Sequence, residues 1–314
     1  MLSTVLVPLD GSRFAEAALP IATRLASFAG ARLYLTTANQ PMGALVGMGE
    51  MGLFQPGPDD EMRRQGTEYL AEVAAKCDQP GDWPVEFRLI EGPVGEAVCD
   101  EAGRIGADLI VMATHGRGAL GRLWLGSVAD HVVRHSTRPV LLVHPGRDGV
   151  PSLNHDGRTI LVALDQSEYS DAILDPVVDF AQVTGAGVTL LTVVAPTFDA
   201  AEPTMPYPVP QHPAICARRS DEAHCRLRRV AARLRRRGVS VSRRVVVGDS
   251  AAGGILSVLG EARFDMVALT THGAMGVRRL IVGSVAEKVI RAAEKPVLVL
   301  HPAASRPSGS QRES

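Results

Sequence analysis

The chain has 314 residues, a length that favours two domains, since domains average about 150 residues. It carries 33 basic and 34 acidic residues, and the resulting net charge of −1 predicts no nucleic-acid partner. Aromatic residues make up 4%, too few for a platform that stacks bases. The four cysteines show no paired spacing, and no apolar run reaches the roughly 18 residues that span a membrane. We therefore expect a cytoplasmic protein without a membrane span.

The sequence repeats itself once. The first copy opens with TVLVPLDGS at Thr4, and the second copy opens with TILVALDQS at Thr159. A later match, GSVA at Gly126 and again at Gly283, has an offset of 157 residues, so the two copies differ little in length. A repeat of this length indicates a duplicated domain rather than a solenoid.

The repeat sets the predicted boundaries. We predict a first domain over residues 1–147, a second domain over residues 154–303 and a disordered tail over residues 304–314. The join between the domains is rich in Gly, Pro and Asp, as linkers are. The tail contains no apolar anchor that could hold it against a core.

Short hydrophobic runs alternate with helical segments in both copies. The runs predict buried strands. The predicted strands of the first copy are residues 5–9, 32–37, 85–90, 108–113 and 140–143; the second copy opens its first strand at Thr159 and continues with 188–194, 241–247, 265–270 and 297–300. This alternation predicts the α/β class, as two tandem open five-stranded parallel α/β sandwich domains with helices on both faces.

The first helix of the first copy has signals at both ends. Ser12 is a capping residue before the helix, and Gly30 favours the left-handed conformation that ends one. We predict a helix from about Arg13 to Ala29 that is kinked at Pro20, which lacks a backbone N–H.

Two repeated features are predicted at one edge of each sheet. Ligands of such sheets bind beyond the carboxyl ends of the strands. Asp10 and Asp165 end the first strand of each copy, and a glycine-rich loop after the fourth strand leads to a helix that begins at Ser127 or Ser284. Glycine amides and a helix N-terminus favour phosphate, while a carboxylate accepts hydrogen bonds from an adenine amino group or ribose hydroxyls. Together they predict a nucleotide site.

At these residues the chain resembles the universal stress protein family, as a tandem member with two such domains. The ATP-binding branch of that family carries G-x2-G-x9-G-[ST]. Both copies keep the second half of this motif, as Gly116 followed after nine residues by Gly126-Ser127, and as Gly273 followed after nine residues by Gly283-Ser284. Ala113 and Thr270 stand where the motif has its first glycine, and alanine is the milder of the two changes.

The resemblance implies an adenine nucleotide, ATP or a relative, with magnesium only as the companion of the nucleotide. The sequence itself shows no candidate catalytic base, no arginine finger and no acidic pair for magnesium, so we expect no catalytic residue and no protein-bound metal. The implied site residues of the first copy are Asp10, Ala38, Ala113, Gly116, Gly126, Ser127 and Val128, and His115 is added because it lies in the glycine loop. Those of the second copy are Asp165, Val193, Thr270, Gly273, Gly283, Ser284 and Val285, and His272 is added for the same reason.

Structural alternatives stay open for these residues. The glycines would serve only the turn between strand and helix, the aspartates would only cap helices, and the loop histidines would only bind the turn. His131 and His135 lie four residues apart on a predicted helix, but no third metal ligand accompanies them. We expect a structural role for that pair.

The function that the resemblance implies is regulatory binding of an adenine nucleotide in a stress response. One alternative is a nucleotide-free module that binds a partner protein, and another is a weak ATPase or phosphotransferase. The fifth strand of each copy is apolar and would be an exposed edge. Since the family pairs these edges, we expect an internal pseudo-dimer, and a further homodimer stays open.

The segment from Arg218 to Arg244 departs from the neutral balance of the chain. It contains eleven arginines and two acidic residues, a local charge of +9. We expect a solvated helix face there, with an anionic partner or an acidic membrane surface as the alternative.

Overall fold

The computed structural model describes residues 2–39, 57–77, 83–114, 125–144, 159–194, 213–271 and 282–302. The predicted linker, the predicted tail and most of both glycine loops lie outside these ranges. His115, Gly116, His272 and Gly273 are among the predicted site residues that the structure does not describe.

The described residues form strands and helices in alternation. The first copy contains β1 (Thr4–Leu9), α1 (Arg13–Glu16), α2 (Leu19–Ala29), β2 (Arg32–Asn39), α3 (Gly57–Cys77), β3 (Val85–Glu91), α4 (Val94–Arg104), β4 (Leu109–Ala113), α5 (Ser127–His135) and β5 (Val140–Val143). The second copy contains β6 (Thr159–Ala163), α6 (Glu168–Asp171), α7 (Leu174–Thr184), β7 (Gly187–Val194), α8 (Pro213–Arg236), β8 (Val241–Val247), α9 (Ala251–Leu259), β9 (Met266–Thr270), α10 (Ser284–Ala292) and β10 (Val297–Leu300).

The strands form one sheet in the order β3-β2-β1-β4-β5-β10-β9-β6-β7-β8. Within each copy all neighbouring strands are parallel, as predicted. The copies meet through β5 and β10, which pair antiparallel with Leu298 opposite Leu141. The predicted pairing of the two fifth strands is therefore present within one chain, and it joins two five-stranded halves into a ten-stranded sheet.

Alternate side chains of each strand point into two separate cores. In β1, Val5 and Val7 lie in the core beneath α1, α2 and α3, whereas Leu6 lies in the core beneath α4 and α5. The second copy repeats this division, with α7 and α8 on the first face and α9 and α10 on the other. Burial on both faces explains why the strands read as continuous apolar runs.

The predicted kinked helix after β1 is instead two helices, α1 and α2. Pro20 lies in the first turn of α2, where its missing N–H costs no hydrogen bond. The chain bridges the two helices through tighter turns, because Ala17 donates to the Phe14 carbonyl and Ala18 donates to the Ala15 carbonyl. Gly30 ends α2 with φ at 59°, as predicted.

Helices α3 and α8 flank the outer strands of the sheet and are the longest described, with 21 and 24 residues. Neither is apolar along its length. Over the described residues, no helix combines the length and the hydropathy that crossing a membrane requires.

Candidate functional site

The carboxyl ends of β1, β2 and β4 lie side by side in the first copy. Strand β1 is hydrogen-bonded to both of the others, and all three are parallel. Asp10 follows β1, Ala38 is near the end of β2 and Ala113 ends β4. The chain runs from β1 outward to β2 and β3 and then returns to β4 on the other side of β1. Strand order therefore reverses between β1 and β4, which is the place where open α/β sheets bind ligands. We call this edge the first rim, and its counterpart at β6, β7 and β9 the second rim.

The aspartate of the first rim holds a tight turn. Asp10 accepts a hydrogen bond from the Ser12 amide at 2.9 Å, and the Ser12 hydroxyl oxygen accepts one from the Ala15 amide at 3.1 Å. The helix cap is therefore Ser12, and Asp10 positions it. A carboxylate accepts more than one hydrogen bond, so this turn leaves a ligand-binding role for Asp10 possible.

The second rim repeats the turn with one strained residue. Asp165 accepts from the Ser167 amide at 3.0 Å and from the Ser167 hydroxyl at 2.5 Å. Between them Gln166 has φ at 73°, where the first copy has Gly11 at 76°. A side chain in this left-handed region is strained by about 1–2 kcal/mol, whereas glycine is not.

Helices α5 and α10 begin at the two rims without a side-chain cap. Their N-cap residues are Gly126 and Gly283, and no side chain among the described residues bonds to the first-turn amides. Ser127 and Ser284 open these helices with exposed side chains. Amides left in this way carry the positive end of the helix dipole and favour an anion.

A structural role for the capping glycines is also visible. The Gly126 amide donates to the Thr114 carbonyl at 2.8 Å, and the Gly283 amide donates to the Thr271 carbonyl at 2.7 Å. A Cβ added at Gly283 would lie 3.0 Å from the same Thr271 oxygen. The turn itself therefore requires a small residue, so the glycine alone does not indicate a ligand.

The remaining predicted site residues differ between the rims in size. Ala113 and Thr270, which end the fourth strands, are both buried. Ala38 and Val193 are half-buried and pack against the core that lies beneath α4 or α9. Val128 and Val285 pack against the same core, so their side chains serve packing.

Val193 contacts the start of α9 closely. A Cβ at Gly254 would lie 2.7 Å from the Val193 Cγ1 atom, so this valine requires glycine at that helix position. The equivalent positions in the first copy are Ala38 and Ala97. Compared with the first copy, the second copy has the smaller residue at the helix position and the larger residue at the strand position. The larger strand side chain therefore lies at the second rim.

Two histidines follow the fifth strands and were not predicted as site residues, and one of them connects the copies. The His144 Nε2 atom lies 3.1 Å from the Ile290 carbonyl at the end of α10, in the other copy. The His301 Nδ1 atom lies 3.0 Å from the Thr271 hydroxyl, next to the second rim. The signal was the repeated His-Pro after each fifth strand, which shows repetition but no role.

The two histidines of α5 contact each other and the backbone of their own helix. The rings of His131 and His135 stack with centroids 4.1 Å apart, and the His135 Nδ1 atom lies 2.8 Å from the His131 carbonyl. Within the described ranges, no three His, Cys, Asp or Glu side chains are grouped so as to hold a metal ion.

The first copy carries a buried charged cluster that the second lacks. Glu101 is 5% exposed, accepts a hydrogen bond from the Tyr34 hydroxyl at 2.7 Å and pairs with Arg104 at 2.6 Å. The hydrogen bond from Arg104 lowers the pKa of Glu101, and burial together with Glu101 raises the pKa of Tyr34. Thr189 and Val258 occupy the equivalent positions in the second copy.

The fold defines a doubly wound α/β protein, and the two rims lie at the edge where sheets of this class bind ligands. The Usp family model, described as the universal stress protein family, matches the chain twice, over residues 1–144 and 157–301. The chain belongs to the universal stress protein family, as a tandem member.

Known relatives agree with this assignment. A universal stress protein of Mycolicibacterium smegmatis is 26% identical over 310 residues, which cover 95% of this chain and 97% of that protein. One of Thermus aquaticus is 34% identical over 146 residues, which cover 46% of this chain and 99% of that protein. The crystal structure of one from Archaeoglobus fulgidus has a TM-score of 0.66 at 21% identity, covering 96% of this chain and 97% of that one.

Proposed function

We propose that this chain binds ATP or a related adenine nucleotide at the first rim and acts as a regulator in a stress response. The observation that supports this proposal is that three features suited to a nucleotide lie together. At one edge of the sheet the chain brings together a carboxylate after β1, a small residue ending β4 and the uncapped start of α5. The turn before α5 would by itself require the glycine at its N-cap. That turn requires neither the exposed side chain of Ser127 nor the aspartate that follows the neighbouring strand β1.

The chemistry of these residues fits an adenine nucleotide. The first-turn amides of α5 and the Ser127 hydroxyl would hold phosphate oxygens, because they are donors at the positive end of the helix. Asp10 would accept hydrogen bonds from ribose hydroxyls or the adenine amino group. Ala38 would leave room for the base beside β2. Magnesium would accompany the phosphates, and the proposal includes no hydrolysis.

The second rim favours a different role. Val193 and Thr270 are larger than their counterparts, and Gln166 is strained where the first copy has glycine. We propose that the first rim binds nucleotide more tightly and that the second copy functions mainly as an interaction module.

A matched pair of substitutions tests this proposal. Asp10→Asn keeps an oxygen for the Ser12 amide and removes only the charge, and Asp165→Asn makes the same change at the second rim. A charged acceptor is worth about 1.5–3 kcal/mol, so we expect Asp10→Asn to weaken ATP binding about 10-fold to 100-fold. Asp165→Asn should change it less than 2-fold. Isothermal titration calorimetry measures both.

Two further results would contradict the proposal. One is an absence of saturable ATP binding by the purified protein together with an absence of nucleotide released on denaturation, which would favour a nucleotide-free module. The other is an equal loss of affinity in both variants, which would assign equal roles to the rims. An assay for released phosphate separates binding from weak ATPase activity.

A further inference from the structure

Helix α8 and the edge strand β8 carry a set of exposed arginines far along the sheet from the first rim. Five of them, which we call the basic strip, pair with no carboxylate among the described residues: Arg228, Arg229, Arg235, Arg236 and Arg243. Their neighbours differ, since Arg226 pairs with Asp171 at 2.6 Å and Arg237 pairs with Asp175. The strip is thus the side of α8 on which positive charge is not neutralised within the described chain.

The strip has a defined geometry. Helical periodicity of about 100° per residue places Arg228 and Arg235 in one row and Arg229 and Arg236 in a second. Within each row the two arginines are about 10 Å apart along the axis. Arg235 donates to the Val241 carbonyl at 2.5 Å, which holds its row against the start of β8. Arg243 lies on the same face of β8 as Val241, because side chains alternate along a strand.

Fold stability does not account for the strip. Helix α8 packs through Leu227, Val230 and Leu234, which are buried. At about 100° per residue, the row of Arg229 and Arg236 is opposite these residues and the row of Arg228 and Arg235 lies on the flank. The helix dipole favours cations in the last turn, which would explain Arg235 and Arg236 alone. Five like charges on adjoining surface positions repel one another, and that repulsion opposes folding.

The first copy shows that the fold does not require such a surface. Ala71, Glu72 and Phe87 occupy the positions equivalent to Arg228, Arg229 and Arg243. Helix α3 contains five acidic and three basic residues, whereas α8 contains two acidic residues and eight arginines. The charge is therefore a property of one copy.

We propose that the basic strip binds the phosphodiester backbone of a single-stranded nucleic acid. Guanidinium groups pair with phosphate oxygens in a bidentate geometry, and a basic stripe along a helix is the electrostatic footprint of nucleic-acid binding. The two rows face directions about 100° apart, which a flexible strand can follow and a flat bilayer cannot. Beside the strip the apolar residues of α8, which are Leu227, Val230 and Leu234, are buried in the core, so none of these three is left to enter a membrane.

The binding is sequence-independent. The segment from Ala217 to Ser250 contains no Phe, Tyr or Trp, and His224 is its one aromatic ring, so it offers no row of rings on which successive bases could stack. The net charge of −1 led to the prediction of no nucleic-acid partner. That value is a sum over the whole chain, in which an acidic remainder cancels the positive charge of this strip. The strip also lies near the amino end of β8, whereas the rims lie at carboxyl ends, so this inference is independent of the proposed function.

Fluorescence polarisation with the full chain tests the inference. The probe is a labelled oligouridylate of about 20 nucleotides, longer than one binding site. Binding through five phosphates should give a slope of about −3.5 for log K against log salt concentration. Arg229→Gln with Arg236→Gln should reduce the slope to about −2 and weaken binding about 25-fold at 0.1 M salt. Arg63→Gln with Arg64→Gln, on α3, removes the same charge and should leave binding within 2-fold.

Each other outcome overturns the inference. No saturable binding by the unaltered protein at low salt would do so, as would an equal loss in both double variants. Binding to vesicles of equal parts phosphatidylserine and phosphatidylcholine without binding to the oligonucleotide would assign the strip to a membrane surface instead. Thermal midpoints of both double variants check that they fold, and the slope of the unaltered protein tests the inference without any variant.

Discussion

The two copies share one frame and differ at its rims and outer faces. Their buried strands have matching registers around β1 and β6, and their uncapped helices α5 and α10 begin at equivalent glycines. The outer helices differ in charge, and the rims differ in the size of their side chains. Positions packed on both faces of a sheet tolerate little change, because any added volume meets a neighbour. The copies therefore differ most where side chains face solvent or lie at the rims.

Where the copies differ inside the frame, the differences come in pairs. The first copy has Gly95 beside His131, and a Cβ at Gly95 would lie 2.6 Å from the imidazole ring. The second copy has alanine at the equivalent position and Lys288 instead of the histidine. The pair Val193 and Gly254 shows the same thing. The space between α4 or α9 and its neighbours is filled by a different combination of large and small residues in each copy. A single substitution from one copy to the other should therefore destabilise the chain, and a paired one should not.

The largest expected effect tests this pairing. Gly254→Ala places a methyl group 2.7 Å from Val193, so overpacking should lower the free energy of unfolding by about 2 kcal/mol. Adding Val193→Ala recreates the pair Ala38 and Ala97 of the first copy and should restore most of that loss. Urea denaturation of the three variants gives the coupling energy, expected at about 1–2 kcal/mol. Simple additivity of the two substitutions would refute the pairing.

A smaller effect is expected at the charged cluster of the first copy. Glu101→Gln removes the charge that Arg104 pairs with, and we expect a loss of about 1–2 kcal/mol at neutral pH. The pKa of Glu101 is lowered in the folded chain, so its contribution is present above its unfolded pKa and disappears as the pH falls through the folded value. The difference between the variant and the unaltered chain should therefore shrink below about pH 4.

An exposed glutamate on the same helix provides the control. Glu96→Gln should change stability by less than about 0.5 kcal/mol, since its side chain is exposed. If both glutamine variants lose the same stability, or if the loss at position 101 is independent of pH, the cluster is not a source of stability.

The smallest effect concerns the strained turn of the second rim. Gln166→Gly should raise the free energy of unfolding by about 0.5–1 kcal/mol, because relief of the left-handed strain exceeds the entropy that glycine gains in the unfolded chain. Gly11→Ala makes the converse change in the first copy and should cost about 1 kcal/mol. Thermal denaturation measures both, and a stabilising Gly11→Ala would contradict the argument.

Much of the fold was predictable because its signals are local. Strand β5 and strand β10 have the predicted bounds, and Gly30 ends α2 as predicted. The sequence could not show where α1 ends and α2 begins. Pro20 is compatible both with a kink inside one helix and with the first turn of a second helix. At the rims, the sequence placed Asp10 and Ser127 together and predicted Ser12 as the cap, which the hydrogen bond from the Ala15 amide confirms. Only the structure showed that Asp10 accepts a hydrogen bond from the Ser12 amide.

The sequence by itself determined the duplication, the alternation of strands and helices and the concentration of arginine in one copy. These depend on residue order and on the periods of buried side chains, which are read along the chain. The tertiary structure decided that the two halves share one sheet, that Val193 requires Gly254 and that the basic strip lacks carboxylates in the described chain. Those facts depend on distances between residues far apart in sequence, and only packing sets such distances.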